Sequence, residues 1–189
     1  MKIKICGVIR LCDIDYINEA QPDYVGFVFA KSSRKIEIAQ AEKFKSLLDK
    51  NIIAVGVFVN EKIELINQIV SNNIIDVVQL HGSETNDYIT QIKAPTIKAI
   101  RPNETPNVIS DFLLFDNVTA GSGQTFDWNL LPKTNKPYFL AGGINIDNID
   151  AAMSLNPFGI DMSSGVETDG FKDKNKILKI VRRIRDEKR

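Results

Sequence analysis

Two side chains with acid/base potential, Cys6 and Asp116, each close a short apolar run of this 189-residue chain. Side chains alternate across a strand. If Asp116 in Phe112-Leu113-Leu114-Phe115-Asp116 faces a common centre, Phe112 and Leu114 face it too, and the same parity joins Cys6 to Lys4 and Lys2. A thiol and a carboxylate brought to one centre from different strands suit proton removal at one atom and proton delivery at another. Each also has a plainer reading, Cys6 as a small buried thiol and Asp116 as a cap for the following segment. Parity also turns Lys4 inward, where a buried ammonium requires a counter-charge. Asp161, in the last strand, is expected to supply it in a structural ion pair.

Glycines mark a second function. Gly121-Ser122-Gly123, Gly142-Gly143 and Ser164-Gly165 follow three successive apolar runs. Glycine lets backbone N–H groups approach and wrap a phosphate. One such cluster is equally a tight turn, but three, with the Ser122 and Ser164 hydroxyls, favour a phosphorylated ligand. Arg34, in Lys31-Ser32-Ser33-Arg34-Lys35, is either a bidentate grip for a carboxylate or an exposed loop charge. His81 is the sole histidine and reads as a positioned hydrogen-bonding group. Two cysteines and one histidine give no metal-ligand spacing, so free thiols and no metal site are expected.

The elements that must position these residues repeat. Apolar runs predict eight strands at residues 2–8, 24–30, 53–59, 77–80, 96–100, 112–116, 138–141 and 159–163. Helical spacing predicts helices at 11–19, 38–50, 62–71, 84–92, 146–154 and 174–187. The fifth and sixth connections hold Pro102, Pro106 and Pro132, which leave room for stunted helices only. Eight βα units form either an open doubly wound sheet or a closed barrel. No GxGxxG follows the first strand, and barrels commonly hold phosphate in their last two loops. The expectation is therefore a (β/α)8 TIM barrel, one domain over 1–189, with short fifth and sixth helices.

Lys plus Arg equals Asp plus Glu at 24 each, which gives no field to attract nucleic acid or an acidic membrane. No apolar stretch approaches the ~18 residues that span a bilayer, and the first residues run directly into a strand pattern. A cytoplasmic monomer acting on a small phosphorylated molecule is expected.

Lys4-Ile5-Cys6-Gly7, Gly26-Phe27-Val28-Phe29, Gly56-Val57-Phe58-Val59, Val78-Gln79-Leu80-His81-Gly82, Gly121-Ser122-Gly123-Gln124-Thr125-Phe126-Asp127-Trp128, Leu140-Ala141-Gly142-Gly143 and Ser163-Ser164-Gly165-Val166-Glu167 occur in the order of one family. Together they cover nearly the whole chain, which resembles the phosphoribosylanthranilate isomerases. That resemblance implies an Amadori rearrangement in tryptophan biosynthesis, without cofactor, with Cys6 as general base and Asp116 as general acid. It implies a protonated Asp116, its pKa raised by an apolar surround for which Phe112, Leu114 and Phe126 are candidates. It implies a Cys6 thiolate, its pKa lowered by nearby positive charge, including the substrate iminium. It also implies substrate binding by Gln79, His81 and Arg34, Arg34 on the anthranilate carboxylate. Gly142, Gly143, Ser164 and Gly165 would hold the phosphate, and the loop of Gly121, Ser122 and Gly123 would close over the site.

Several positions depart from the family pattern: Ile9 and Arg10 where a small polar residue usually follows, Ser33 for proline, Ala120 for glycine, and Asp169-Gly170-Phe171 for a proline-glycine turn. They touch loop motion more than the reaction. A related isomerase of histidine biosynthesis, or a dual-substrate enzyme, would carry an aspartate base where Cys6 stands. An inactive barrel that binds phosphorylated metabolites would not need both Cys6 and Asp116. A Schiff-base aldolase would need an inward lysine, for which Lys98 is the nearest candidate.

Overall fold

The alternating apolar residues of the strands sort into two cores once the sheet closes on itself. The structure, a computed structural model, describes residues 1–102, 104, 106–116 and 126–186. Its strands are β1 (Lys2–Cys6), β2 (Tyr24–Val28), β3 (Ile53–Phe58), β4 (Val77–Leu80), β5 (Thr96–Ile100), β6 (Phe112–Phe115), β7 (Tyr138–Leu140) and β8 (Gly159–Met162). Each pairs in parallel with the next, and β8 pairs with β1, closing the barrel. One set of side chains, Tyr24, Val55, Val77, Ile97, Leu114 and Phe139 among them, fills the interior, with Phe112 packed against it. The opposite set, including Ile3, Ile5, Phe27, Phe58, Val78, Leu113, Phe115 and Ile160, belongs to an outer core shared with the helices. The parity read for β6 holds.

Among the described residues, six helices lie on this outer core: α1 (Leu11–Ala20), α2 (Ile38–Leu47), α3 (Ile63–Ser71), α4 (Asn86–Ile89), α5 (Ile149–Ser154) and α6 (Lys174–Asp186). In α6 the buried Ile177, Ile180, Val181 and Ile184 form one stripe, the three-to-four-residue spacing of a helix that covers a sheet. Three helices are shorter than their patterns predict by two residues or more, α2 among them, ending at Leu47 rather than residue 50. The fourth begins at Asn86 because Glu84 instead accepts from the Asn60 and Gly82 backbone N–H groups, and Thr85 caps the turn by accepting from Tyr88 N. Helix α5 begins at Ile149 because Asn145 and Asn148 hydrogen-bond their local backbone, in the manner of asparagine-built turns. The described residues of the fifth connection contain no helix, and the sixth holds a single 3-10 turn, Trp128–Leu130.

Lys4 is fully buried in the barrel, and its Nζ lies 2.8 Å from Asp161 Oδ2. The expected pair is made directly, between residues opposite in the β1–β8 register. Burial alone would strip the Lys4 charge, but Asp161, and Cys6 after it, outweigh that and hold its pKa above the usual lysine value. Asp161→Ala would leave that ammonium uncompensated and should destabilise the fold by about 3–5 kcal/mol. At about 2–4 °C per kcal/mol for a chain of this size, thermal unfolding should fall by roughly 6–20 °C. Pairing Asp161→Leu with Lys4→Met should recover most of the loss. A single variant within about 1 °C of wild type would show that the pair carries no such penalty.

Candidate functional site

The carboxyl ends of the strands surround a cavity of about 260 Å³, lined by groups from seven of the eight strand ends. Cys6 borders it from the end of β1, and Asp116 from just beyond β6, with β7 and β8 between them in the ring. Cys6 fits there because its register partner on β2 is Gly26: a Cβ at that position would lie 2.6 Å from the Cys6 sulfur.

Burial pushes the Cys6 thiol pKa up, and Asp161 adds to this. Lys4 and Lys172 pull it down but do not win. The expected lowering is therefore not supplied by the protein's own cations: both are present, and desolvation of the thiolate exceeds their attraction. Lys172 is tied by its Nζ to Glu167 and to the Ser163 carbonyl, while the Ser163 hydroxyl donates to the Cys6 carbonyl at 3.0 Å. Burial outweighs Glu167 and holds the Lys172 pKa below the usual lysine value. Lys172→Met should raise the thiol pKa further. Since the thiolate is the basic form, the rising limb of rate against pH should move to higher pH, at about tenfold in rate per unit below the limb. Alkylation rate against pH in a Cys12→Ser background reads this directly, and an unmoved limb would rule Lys172 out as a tuning charge.

Arg34 lines the cavity but its fork is already engaged: Nε and Nη2 donate to Glu167 at 2.8 and 2.7 Å. Burial raises the Glu167 pKa, but Arg34 and Lys172 overcome it and keep this carboxylate below the usual range. Nη1 takes no part in these two bonds. Next to Arg34, Val28, Ala30, Val57 and Val59 form an apolar wall, a face suited to an aromatic ring. Motif reasoning missed this wall, although Val57 and Val59 share their parity with interior Val55. It also missed Lys31, Ser32, Asp161 and Ser163, which line the cavity.

Across the cavity lie Gly142, Gly143 and Ser164. The two glycines have φ of +86° and +63°, a tight turn that other residues adopt only with strain. Asn148 Nδ2 fixes the turn by donating to the Gly143 carbonyl at 3.0 Å. Gly165 does not line the cavity; a Cβ there would lie 1.9 Å from the Ile144 carbonyl oxygen. Its role is close backbone packing of the seventh loop on the eighth. Gly121, Ser122, Gly123 and Ala120 lie outside the described residues.

Gln79 and His81 project into the same cavity from β4 and its end. Gln79 Nε2 is 3.1 Å from His81 Nδ1, and His81 Nε2 is 3.4 Å from Asp116 Oδ2. Phe112 and Leu114 lie beneath Asp116 in the barrel, but Phe126 packs on the outer core, which removes it from the apolar surround expected of Asp116. Lys98 points outward and is held by the Gly82 carbonyl at 2.6 Å and Glu84 at 2.9 Å. It does not line the cavity, so the aldolase reading lacks its nucleophile.

A family model described as N-(5'phosphoribosyl)anthranilate (PRA) isomerase matches residues 3–183. The chain is 48% identical, over 196 aligned residues, to the N-(5'-phosphoribosyl)anthranilate isomerase of Endomicrobium trichonymphae, covering 97% of this chain and 98% of that one. Its fold is similar to the crystal structure of phosphoribosyl anthranilate isomerase from Thermus thermophilus, with a TM-score of 0.91 at 30% identity, covering 98% and 99% of the two chains. It is also similar to a phosphoribosyl anthranilate isomerase in complex with reduced 1-(o-carboxyphenylamino)-1-deoxyribulose 5-phosphate, with a TM-score of 0.80 at 30% identity and the same coverage.

Proposed function

The chain belongs to the N-(5'-phosphoribosyl)anthranilate isomerase family and is an isomerase of that type in tryptophan biosynthesis, and we propose that Cys6 and Asp116 are the base and acid of its Amadori rearrangement. The observation that carries this reading is their convergence on one cavity from separated strands, between an apolar wall beside Arg34 and the glycine-serine turns.

The substrate is N-(5-phosphoribosyl)anthranilate. Its anthranilate ring lies along Val28, Val57 and Val59 with its carboxylate at Arg34, and its phosphate sits at Gly142, Gly143 and Ser164. Asp116 gives a proton to the ribose ring oxygen as the bond from that oxygen to C1 breaks, and the nitrogen lone pair forms the iminium. The Cys6 thiolate then takes the proton from C2. The C–H electrons form the C1–C2 double bond, and the iminium pair returns to nitrogen. Transfer of the enol proton to C1 gives 1-(o-carboxyphenylamino)-1-deoxyribulose 5-phosphate. Bonds and charge balance without an oxidant or reductant. The cationic iminium also supplies positive charge near Cys6 at the step that needs a thiolate, where the protein's lysines alone do not overcome burial.

Residues 1–189 are read as a single catalytic domain, monomeric and cytoplasmic, with a phosphorylated small molecule as its partner. Supporting this, charges balance at 24 of each sign, and no described helix is long and apolar enough to cross a membrane. The test is to mix the protein with freshly generated phosphoribosylanthranilate and follow the loss of anthranilate-type fluorescence, with Cys6→Ser alongside. Rapid loss in the wild type alone is expected; equal rates in both would remove Cys6 from the mechanism.

A further inference from the structure

We propose that Gln79 sets the tautomer of His81 so that its Nε2–H faces Asp116 Oδ2, which keeps the acidic proton of Asp116 on the other oxygen, Oδ1. An amide nitrogen only donates, so the 3.1 Å contact from Gln79 Nε2 requires a bare lone pair on His81 Nδ1. A neutral imidazole then carries its one proton on Nε2, the nitrogen 3.4 Å from Asp116 Oδ2. That separation is longer than a made hydrogen bond, and such contacts tighten when substrate closes the site. An oxygen that faces an N–H donor is the wrong one to protonate. The carboxylic acid therefore holds its proton on Oδ1, and once that proton has gone to the substrate, Nε2–H faces the new carboxylate charge.

The opposite amide orientation would put Gln79 Oε1 against Nδ1 and move the imidazole proton there. The bare Nε2 lone pair would then face Asp116 at the moment it becomes negative. Gln79 is 2% exposed, and its Oε1 is buried without a hydrogen-bond partner among the described residues, an acceptor left for a donor from the bound sugar. A ribose hydroxyl donating to Oε1 holds the amide in the same orientation, which links sugar binding to the tautomer. Gln79 and His81 thus act through Asp116 as positioning residues, and this role rests on the acid assignment above.

Because His81 is the sole histidine, ¹⁵N-histidine labelling yields one pair of ring nitrogens, assigned by their couplings to the ring protons. The wild type near neutral pH should show Nε2 protonated and Nδ1 bare, with and without product; in Gln79→Glu, whose carboxylate accepts, Nδ1 should become protonated. Gln79→Leu and His81→Ala should each lower kcat about tenfold to a hundredfold, part of what a positioned acid contributes, with KM little changed in His81→Ala and raised in Gln79→Leu, which also gives up the sugar hydroxyl. His81→Gln, whose amide nitrogen reaches the Nε2 position, should recover most of the His81→Ala loss, and adding Gln79→Leu to it should cost little more. A wild-type spectrum with Nδ1 protonated would overturn the proposal. So would the expected tautomer with full kcat in Gln79→Leu, or no recovery in His81→Gln. Failure of the acid assignment has a separate signature, near-native turnover in Asp116→Asn whatever the tautomer.

Discussion

Cys6→Ser should lower turnover by about a hundredfold to ten-thousandfold, the usual range for loss of a positioned acid or base, while product still binds. Serine is smaller than cysteine, so the space left by Gly26 accepts it without a clash. An alcohol is far less acidic than a thiol, however, and the site already penalises a negative charge at this position through burial. The alkoxide needed to take the C2 proton is therefore almost never present. The measurement is kcat by fluorescence together with product affinity by titration. A fall in kcat with affinity retained assigns the loss to chemistry. Near-native turnover would mean that another group removes the proton.

Asp116→Asn should reduce kcat over the same range, for the opposite reason. The amide keeps the size and dipole of the carboxyl group but has no acidic proton to give, so the ring opens only as fast as an unassisted alkoxide can leave. The two variants are separable by their pH profiles. Loss of Asp116 should lower the rate but leave the rising limb, which belongs to Cys6, in place. Loss of Cys6 should abolish the rising limb, which reports a thiol that must be ionised. If Asp116→Asn retains its rate, the acid lies elsewhere in the cavity.

The barrel was legible because strand alternation is a two-residue rule, and each strand obeys it. From that rule Lys4 had to face inward and needed Asp161, and the pair is made. Helix lengths were less legible, since apolar spacing does not register that Glu84 or Asn148 uses its side chain on the loop backbone. The balance at Cys6 among the protein's own groups was not legible, because the sequence shows which charges are near in pattern but not how far burial outweighs them. The largest omission was a short antiparallel hairpin, β9 (Glu167–Thr168) with β10 (Phe171–Lys172). Its signal was present: Asp169-Gly170 at its tip has φ of +53° and +80°, the aspartate-glycine turn that favours a tight hairpin. Recognising it would have brought Glu167 and Lys172 to Arg34.

Two departures from the family pattern, noted separately in the sequence, also prove to be one contact. The Arg10 guanidinium stacks 4.7 Å from the Phe171 ring centroid, donates to the Lys172 carbonyl at 2.7 Å and pairs with Asp13. An unusual first loop and an unusual hairpin stabilise each other here, which no reading of either position alone would reveal.

The clash that any side chain at Gly165 would make with the Ile144 carbonyl carries a mechanical meaning. Loops seven and eight meet backbone to backbone there, so the pocket floor proposed to seat the phosphate is built as one close-packed piece. The disorder such a floor would otherwise lose at every encounter is lost once, when the chain folds. A ligand that docks by its phosphate would thus meet a close-packed floor at one end.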